Sequence, residues 1–254
     1  MNKDKFKRKA TRPLVWAHRG ASAYAPENTL PAFQKAVELG ADGVELDVQL
    51  TADGELVVIH DEWLERVSNG KGWVKDHTLA QLREYNYNRA CPGFEKAQIP
   101  TLREVYELLG PSGLTINVEL KTGILPYPGL AEKVVALTRE LGMEDRVLYS
   151  SFNHYTCLEL RRLEPEAYIG FLYSDVPIDM AAYAASQGAD ALHPAVYHLQ
   201  QADYMEEATA HGLDVNVWTV NEPEHLHMAC RLGLNAIITN YPDRALEIAG
   251  QYLK

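Results

Sequence analysis

Two histidines, an arginine, a lysine and three carboxylates stand out because each interrupts or ends an apolar run that would otherwise read as a buried strand. His18 and Arg19 follow Leu14 to Ala17, Glu45 and Asp47 lie within Val44 to Val48, and His60 and Asp61 follow Leu56 to Ile59. Glu119 and Lys121 close the run that begins at Leu114. In a strand, residues i and i+2 share a face, which pairs Glu45 with Asp47, Glu119 with Lys121, and Asn216 with Trp218. Three carboxylates turned toward one point repel each other and lose hydration unless a cation joins them. Oxygen ligands without thiolates select Mg²⁺, Ca²⁺ or Mn²⁺ over zinc. Two histidines beside such a cluster offer proton transfer near neutral pH. Arg19 and Lys121 offer cations to phosphate oxygens, and Gly20 lets the backbone approach a ligand closely.

Each residue taken singly has a plainer reading. A carboxylate pairs with a Lys or Arg, as Glu119 would with Lys121; a histidine at a strand end is structural; an arginine is a surface charge. Trp218 could cover a substrate or fill the core, and Asn216 could orient a ligand or satisfy the interior. The convergence of three carboxylates on the inner face of apolar strands is what favours a metal.

The elements that must position these groups follow a βα rhythm. The first run leads through Pro26, Glu27 and Asn28 into a helix with apolar positions at Leu30, Phe33, Val37 and Leu39, capped by Gly40. Ala52-Asp53-Gly54 joins the second and third runs as a hairpin. Residues 61–100 are irregular, with turn chemistry at Asn69 to Gly72, a short helix at 79–85 and loop from Tyr85 to Pro100, and read as an insertion. A helix opens at Thr101. Strands are then expected at 114–120, 147–150, 168–172, around 191–192, at 215–220 and at 236–239. Helices are expected at about 129–141, 154–163, 178–187, 200–211, 223–232 and 242–250. With the hairpin partner 56–59 set aside, eight strands each precede a helix, the arithmetic of a (β/α)₈ barrel in a single domain over 1–254. A doubly wound open sheet is disfavoured, because no G-x-G-x-x-G opens a first helix. In a barrel, the acidic positions near strand ends belong to the C-terminal mouth.

Composition narrows the partners. A formal net charge of -11 argues against nucleic acid, while leaving room for a small phosphate ester held by local cations or a metal. Hydrophobic content of 46% with 23% charged residues is that of a globular protein. Cys91, Cys157 and Cys230 are far apart and in no metal-like spacing, which suits reduced thiols and a cytoplasmic location. The basic start MNKDKFKRKATRP has no apolar segment after it and reads as a solvated tail. No run is long enough for stable membrane insertion. A homo-oligomer is left open.

Taken in order, His18-Arg19-Gly20, Pro26-Glu27-Asn28-Thr29, Glu45-Leu46-Asp47-Val48 and Val58-Ile59-His60-Asp61 resemble the glycerophosphodiester phosphodiesterases. So do Ile99-Pro100-Thr101-Leu102, Asn117-Val118-Glu119-Leu120-Lys121 and Val217-Trp218-Thr219-Val220-Asn221, so that the resemblance spans about 14–248. Ser68, where many relatives carry threonine before Asn-Gly, is a small variation. The resemblance implies a (β/α)₈ barrel with an inserted subdomain after the second strand and a divalent metal (Mg²⁺ or Ca²⁺) on Glu45, Asp47 and Glu119. It further implies catalysis by His18 and His60, and substrate contacts from Arg19 and Lys121. The expected reaction is hydrolysis of a glycerophosphodiester to glycerol 3-phosphate and an alcohol. Alternatives are a lysophospholipase D-type enzyme, for which an apolar rim at Trp63, Trp73 and Phe94 is expected, and a non-catalytic phosphate-binding barrel.

Overall fold

A computed structural model describes residues 3–8 and 12–253, apart from the side chain of Lys5. Eight parallel strands close a barrel: β1 (Leu14–His18), β2 (Gly43–Leu50), β4 (Thr115–Leu120), β5 (Val147–Ser151), β6 (Ile169–Tyr173), β7 (Ala191–Pro194), β8 (Asp214–Val217) and β9 (Ala236–Thr239). β1 pairs with both β2 and β9, so the sheet has no free edge around the ring. β3 (Leu56–Val58) is the antiparallel hairpin partner of β2. The helices that follow the barrel strands are α1 (Leu30–Glu38), α3 (Leu102–Leu109), α4 (Leu130–Glu140), α5 (His154–Leu163), α6 (Met180–Ser186), α7 (Tyr204–Ala210), α8 (Pro223–Leu232) and α9 (Pro242–Gly250). The expected (β/α)₈ barrel is therefore the architecture.

The period-2 pattern of the strands separates two cores. Val44, Leu46 and Val48 of β2 and Ile116, Val118 and Leu120 of β4 pack outward in the shell between sheet and helices. The alternate positions, Glu45 and Asp47 with Asn117 and Glu119, lie on the inner face, directly paired across the two strands. An apolar/polar alternation, which on an open sheet would mark a solvent face, here marks the barrel interior.

The inner face is apolar at the base and polar toward the mouth. Phe6, Leu14, Trp16, Leu148, Tyr168, Ala191, Ala236 and Ile238 form one buried cluster. Phe6 corrects the solvated-tail expectation for residues 3–8: its ring is fully buried 5.1 Å from that of Tyr168, and its carbonyl accepts from Asn235. A single aromatic among tail charges is enough to plug the open base of the barrel. The remainder of the basic start, residues 1–2 and 9–11, lies outside the described residues.

Above this layer His193 is wholly buried, and Asn216 donates its amide to His193 Nε2 at 2.9 Å while accepting from Asn235 at 2.7 Å. Asn216 thus satisfies the interior instead of meeting a ligand. Gly170 makes room for the imidazole, since a Cβ there would lie 2.1 Å from Nε2. Burial pushes the His193 pKa down to about 3. The unfolded chain then binds the extra proton below about pH 6.5 and the folded chain does not, so stability falls as pH drops through that window. Each unit of pH between about 6 and 4 costs roughly 1.4 kcal/mol per such histidine. Urea midpoints at pH 7, 6 and 5 should decline, and more gently in His193→Gln; parallel declines in both proteins would remove His193 from the account.

Two departures from the expected boundaries matter to the site. β1 ends where His18 pairs with Glu45, whereas β2 continues five residues further to Leu50. β3 then covers the edge of β2 that β1 has vacated, pairing at Val48, Gln49 and Leu50. Glu45 is therefore mid-strand in β2 yet at the barrel rim. β8 runs to Val217, and Trp218 carries the pairing with the β7 side one step further through a parallel bridge to Ala195. The expected helix at about 200–211 is α7, preceded by a 3₁₀ turn (Val196–Gln200).

Between β3 and α3, the stretch 59–101 holds a 3₁₀ turn (Val74–Asp76) and the one-turn helix α2 (Leu79–Leu82) over a small apolar cluster that includes Ile59, Leu64, Val67, Leu82 and Ile99. Thr78 with Gln81, and Thr101 with Glu104, form capping boxes that start α2 and α3. Gln49, extending from the overhang of β2, donates its amide to the carbonyls of Ile59, His60 and Asp61 at 2.9–3.1 Å and so fixes the chain that carries His60.

Candidate active site

The mouth of the barrel holds a cavity of about 150 Å³ lined by His18, Arg19, Glu45, His60, Asn117, Glu119, Phe152, Leu172, Trp218 and Ile238. A larger groove of about 510 Å³ runs past Arg83, Arg103 and Lys133. Its cations are each engaged, with Glu104, Glu140 and the Gly54 carbonyl. The smaller cavity is where buried charge converges.

Arg19 is delivered by a turn that side chains rarely adopt. Arg19 and Gly20 both have left-handed backbone, φ 55° and 79°. At Gly20 a Cβ would stand 2.7 Å from the Ala32 carbonyl carbon, so only glycine fits. The turn is pinned by Asn28, whose N–H donates to the Arg19 carbonyl at 2.9 Å and whose amide donates to Asp47 Oδ2 at 2.8 Å. The Pro26-to-Thr29 loop thus ties the arginine turn to β2.

Glu45, Asp47 and Glu119 are buried, each offering an oxygen within 4.8 Å of the others. Glu45 Oε2 accepts the Arg19 N–H at 3.0 Å. Lys121 Nζ stands 3.0 Å from Glu119 and 3.9 Å from Asp47 Oδ1, and Arg19 Nε 3.5 Å from Asp47 Oδ2. Burial, then repulsion from Asp47 and Glu119, drives the Glu45 carboxyl well above the usual range. Burial also raises Glu119 against the pull of Lys121. Asp47 goes the other way: burial is outweighed by His60, Arg19, Lys121 and the Asn28 hydrogen bond, which hold it far below an ordinary aspartate. Asp47 Oδ1 accepts no hydrogen bond despite its burial. An orphaned carboxylate oxygen beside two carboxyls under repulsion is what an all-oxygen divalent cation site requires, so the residues fit a metal.

The two histidines have different partners. His18 Nδ1 donates to Asn240 Oδ1 at 2.7 Å, which leaves Nε2 facing the cavity 3.9 Å from Glu45. Burial, aided by the Arg19 cation, lowers its pKa to about 4, so the ring is neutral at pH 7. His60 Nδ1 donates to Asp61 Oδ1 at 2.5 Å. A carboxylate only accepts, so Nδ1 carries the proton and Nε2 faces the pocket.

The residues expected from sequence, His18, Arg19, Glu45, Asp47, His60, Glu119, Lys121 and Trp218, are brought together around this one mouth. Trp218 donates Nε1–H to the His193 carbonyl at 2.8 Å and meets Phe152 edge-on, with ring centroids 5.5 Å apart. Its indole belongs to the apolar part of the cavity wall. Sequence reasoning did not single out Phe152, Leu172 and Ile238, which form the rest of that wall, nor the site-side partners Glu27, Arg66 and Asn240. Asn117 was legible, two positions before Glu119 on the same strand face; its Nδ2 is buried without a partner at the cavity.

Barrel and mouth together define a (β/α)₈ protein whose buried acidic cluster sits beside paired cations and histidines. The profile of the Glycerophosphoryl diester phosphodiesterase family matches residues 18–244, and the chain belongs to that family. It is 41% identical over 236 residues to a glycerophosphodiester phosphodiesterase of Caldanaerobacter subterraneus subsp. tengcongensis, covering 92% of this chain and 97% of that one. A second, from Bacillus altitudinis, is 39% identical, covering 92% of this chain and 97% of that one. Among solved structures, a phosphodiesterase of Oleispira antarctica in complex with the product sn-glycerol-3-phosphate superposes with a TM-score of 0.81 at 30% identity, over 93% of this chain and 96% of that one.

Proposed function

We propose that this chain hydrolyses glycerophosphodiesters to glycerol 3-phosphate and an alcohol, as a single catalytic domain with an inserted subdomain at about 61–100. The observation that carries the reading is the buried trio Glu45, Asp47 and Glu119, with Asp47 Oδ1 accepting no hydrogen bond, between Arg19 and Lys121. These three residues would hold the divalent cation, Mg²⁺ or Ca²⁺. Bound there, such an ion supplies Lewis-acid polarisation of a phosphoryl oxygen and a lowered pKa for a hydroxyl or water.

The chain's own groups do the rest. Arg19 and Lys121 hold the phosphoryl oxygens and stabilise the charge that builds on them. His18, neutral with a free Nε2, takes the proton from the attacking water or glycerol hydroxyl. His60, its Nδ1–H held by Asp61, acts in its imidazolium form and gives the second proton, on Nε2, to the leaving alcohol. Phe152, Leu172 and Trp218 cover the substrate on the apolar side and exclude water. The location is proposed as cytoplasmic; among the described residues no helix is long and apolar enough to cross a membrane.

One observation favours a second reading, hydrolysis of lysolipids. Within 61–100 only Trp63 is an exposed large apolar side chain among the described residues, so the rim expected there is absent. Exposed apolar residues instead follow β5 and β6, at Phe152 before α5, Tyr155 in the first turn of α5, and Val176 and Ile178 after β6, with Phe152 also lining the cavity. The purified protein should release choline and glycerol 3-phosphate from glycerophosphocholine with Mg²⁺ or Ca²⁺. Choline from lysophosphatidylcholine alone would establish the lipid reading, and no product with retained metal binding would leave a phosphate-binding barrel.

A further inference from the structure

We propose that Arg66, contributed by the insertion, is a positioning residue that locks the proton-transfer arm of the site to its phosphate-binding arm. Its guanidinium spans two carboxylates at once. Nε and Nη2 donate to Asp61, at 2.5 and 3.1 Å, while Nη1 and Nη2 donate to the two oxygens of Glu27, both at 2.8 Å. Each carboxylate has a second customer in the cavity. Asp61 Oδ1 holds His60 Nδ1, and Glu27 Oε1 holds Arg19 Nη1 at 2.9 Å. A continuous chain, His60–Asp61–Arg66–Glu27–Arg19, therefore runs around the rim and ends against Asp47.

Three features separate this arrangement from an ordinary surface ion pair. The carboxylates are largely buried, at 24% and 15% side-chain exposure, although Arg66 itself is 42% exposed. The planar fork fixes both partners in angle as well as distance, which a point charge does not. Arg66 touches neither cavity nor metal ligand, so its influence passes wholly through groups that do. Without it, Asp61 and Glu27 face each other's charge across the rim and are free to turn, taking the His60 ring and the Arg19 fork off their aim.

The inference rests on the reading of His60 as a proton-transfer group, and the test separates the two. kcat and KM for glycerophosphocholine at saturating Mg²⁺ are measured in the wild type, Arg66→Met, Arg66→Lys, His60→Ala and the Arg66→Met/His60→Ala double variant, with thermal unfolding of each. Removing partners that orient a reacting group typically costs about 10–100-fold. Arg66→Met should lower kcat by that order and raise KM, and Arg66→Lys, which keeps the charge but loses the fork, should fall between. In the His60→Ala background the kcat effect of Arg66→Met should nearly vanish while the KM effect persists, because coupled residues are non-additive. An equal kcat loss in both backgrounds, or no loss in Arg66→Met, would overturn the positioning role. Full kcat in His60→Ala alone would instead overturn the proton-transfer reading. If Arg66→Met does not fold, Arg66→Lys carries the same comparison.

Discussion

Glu45→Gln should abolish metal-dependent hydrolysis and at the same time raise the melting temperature of the metal-free protein. The two effects share one cause. Glu45 is buried between Asp47 and Glu119, and its carboxyl is driven well above the usual range by burial and then by those neighbours. A carboxyl whose folded pKa is raised contributes stability at low pH that is lost as pH rises toward that folded value. Above the pKa of the unfolded carboxyl, keeping this group buried therefore opposes folding. The glutamine keeps an oxygen for the Arg19 N–H, which Glu45 now accepts at 3.0 Å, and removes the charge. The gain should be a few degrees, since about 1 kcal/mol shifts a domain of this size by roughly 2–4 °C. It should disappear below about pH 4.5, where the unfolded carboxyl is also protonated. Mg²⁺ or Ca²⁺ should stabilise the wild type and not the variant, and a chelator should erase both activity and that stabilisation. Retained activity in Glu45→Gln, or a fall in its metal-free melting temperature, would contradict the assignment of the trio.

His18→Ala and His60→Ala should each lower kcat by about 10²–10⁴-fold, the usual contribution of one proton-transfer group. The double variant should lose less than the product of the two, because the groups act in one reaction. Their effects on pH dependence should differ. His18 is held neutral by burial and the Arg19 cation, with a pKa of about 4, and acts through an unprotonated Nε2. Activity that depends on it should therefore persist well below pH 6.5, the point where an exposed histidine would already be half protonated. Asn240→Ala, which removes the acceptor for His18 Nδ1–H, should reproduce part of the His18 loss with little change in KM. Full activity in the double histidine variant would remove proton transfer by these residues from the account.

The extent to which this could be read from sequence follows from what local pattern encodes. Strand alternation at Gly43 to Leu50 and Thr115 to Leu120 announces which carboxylates share a face, and the eight βα units give the ring that joins them. The reach of β2 beyond the rim was not legible, because it depends on β3 replacing β1 along one edge. Phe6 was read as tail because a single aromatic carries no periodicity. Arg66 lay in an irregular segment, and nothing in its neighbourhood of sequence ties it to Glu27, thirty-nine positions earlier. Asn240 meets His18 only because β9 closes on β1. Residues that carry the charge announce themselves by chemistry; those that aim it are found through closure of the barrel.

A crystal of the protein soaked with Mn²⁺ and glycerol 3-phosphate tests the central claim most directly. The account predicts an anomalous peak among Glu45, Asp47 and Glu119, with the phosphate between Arg19 and Lys121 and both histidine Nε2 atoms facing it. A metal bound elsewhere, or the phosphate seated in the groove beside Arg83, Arg103 and Lys133, would contradict it.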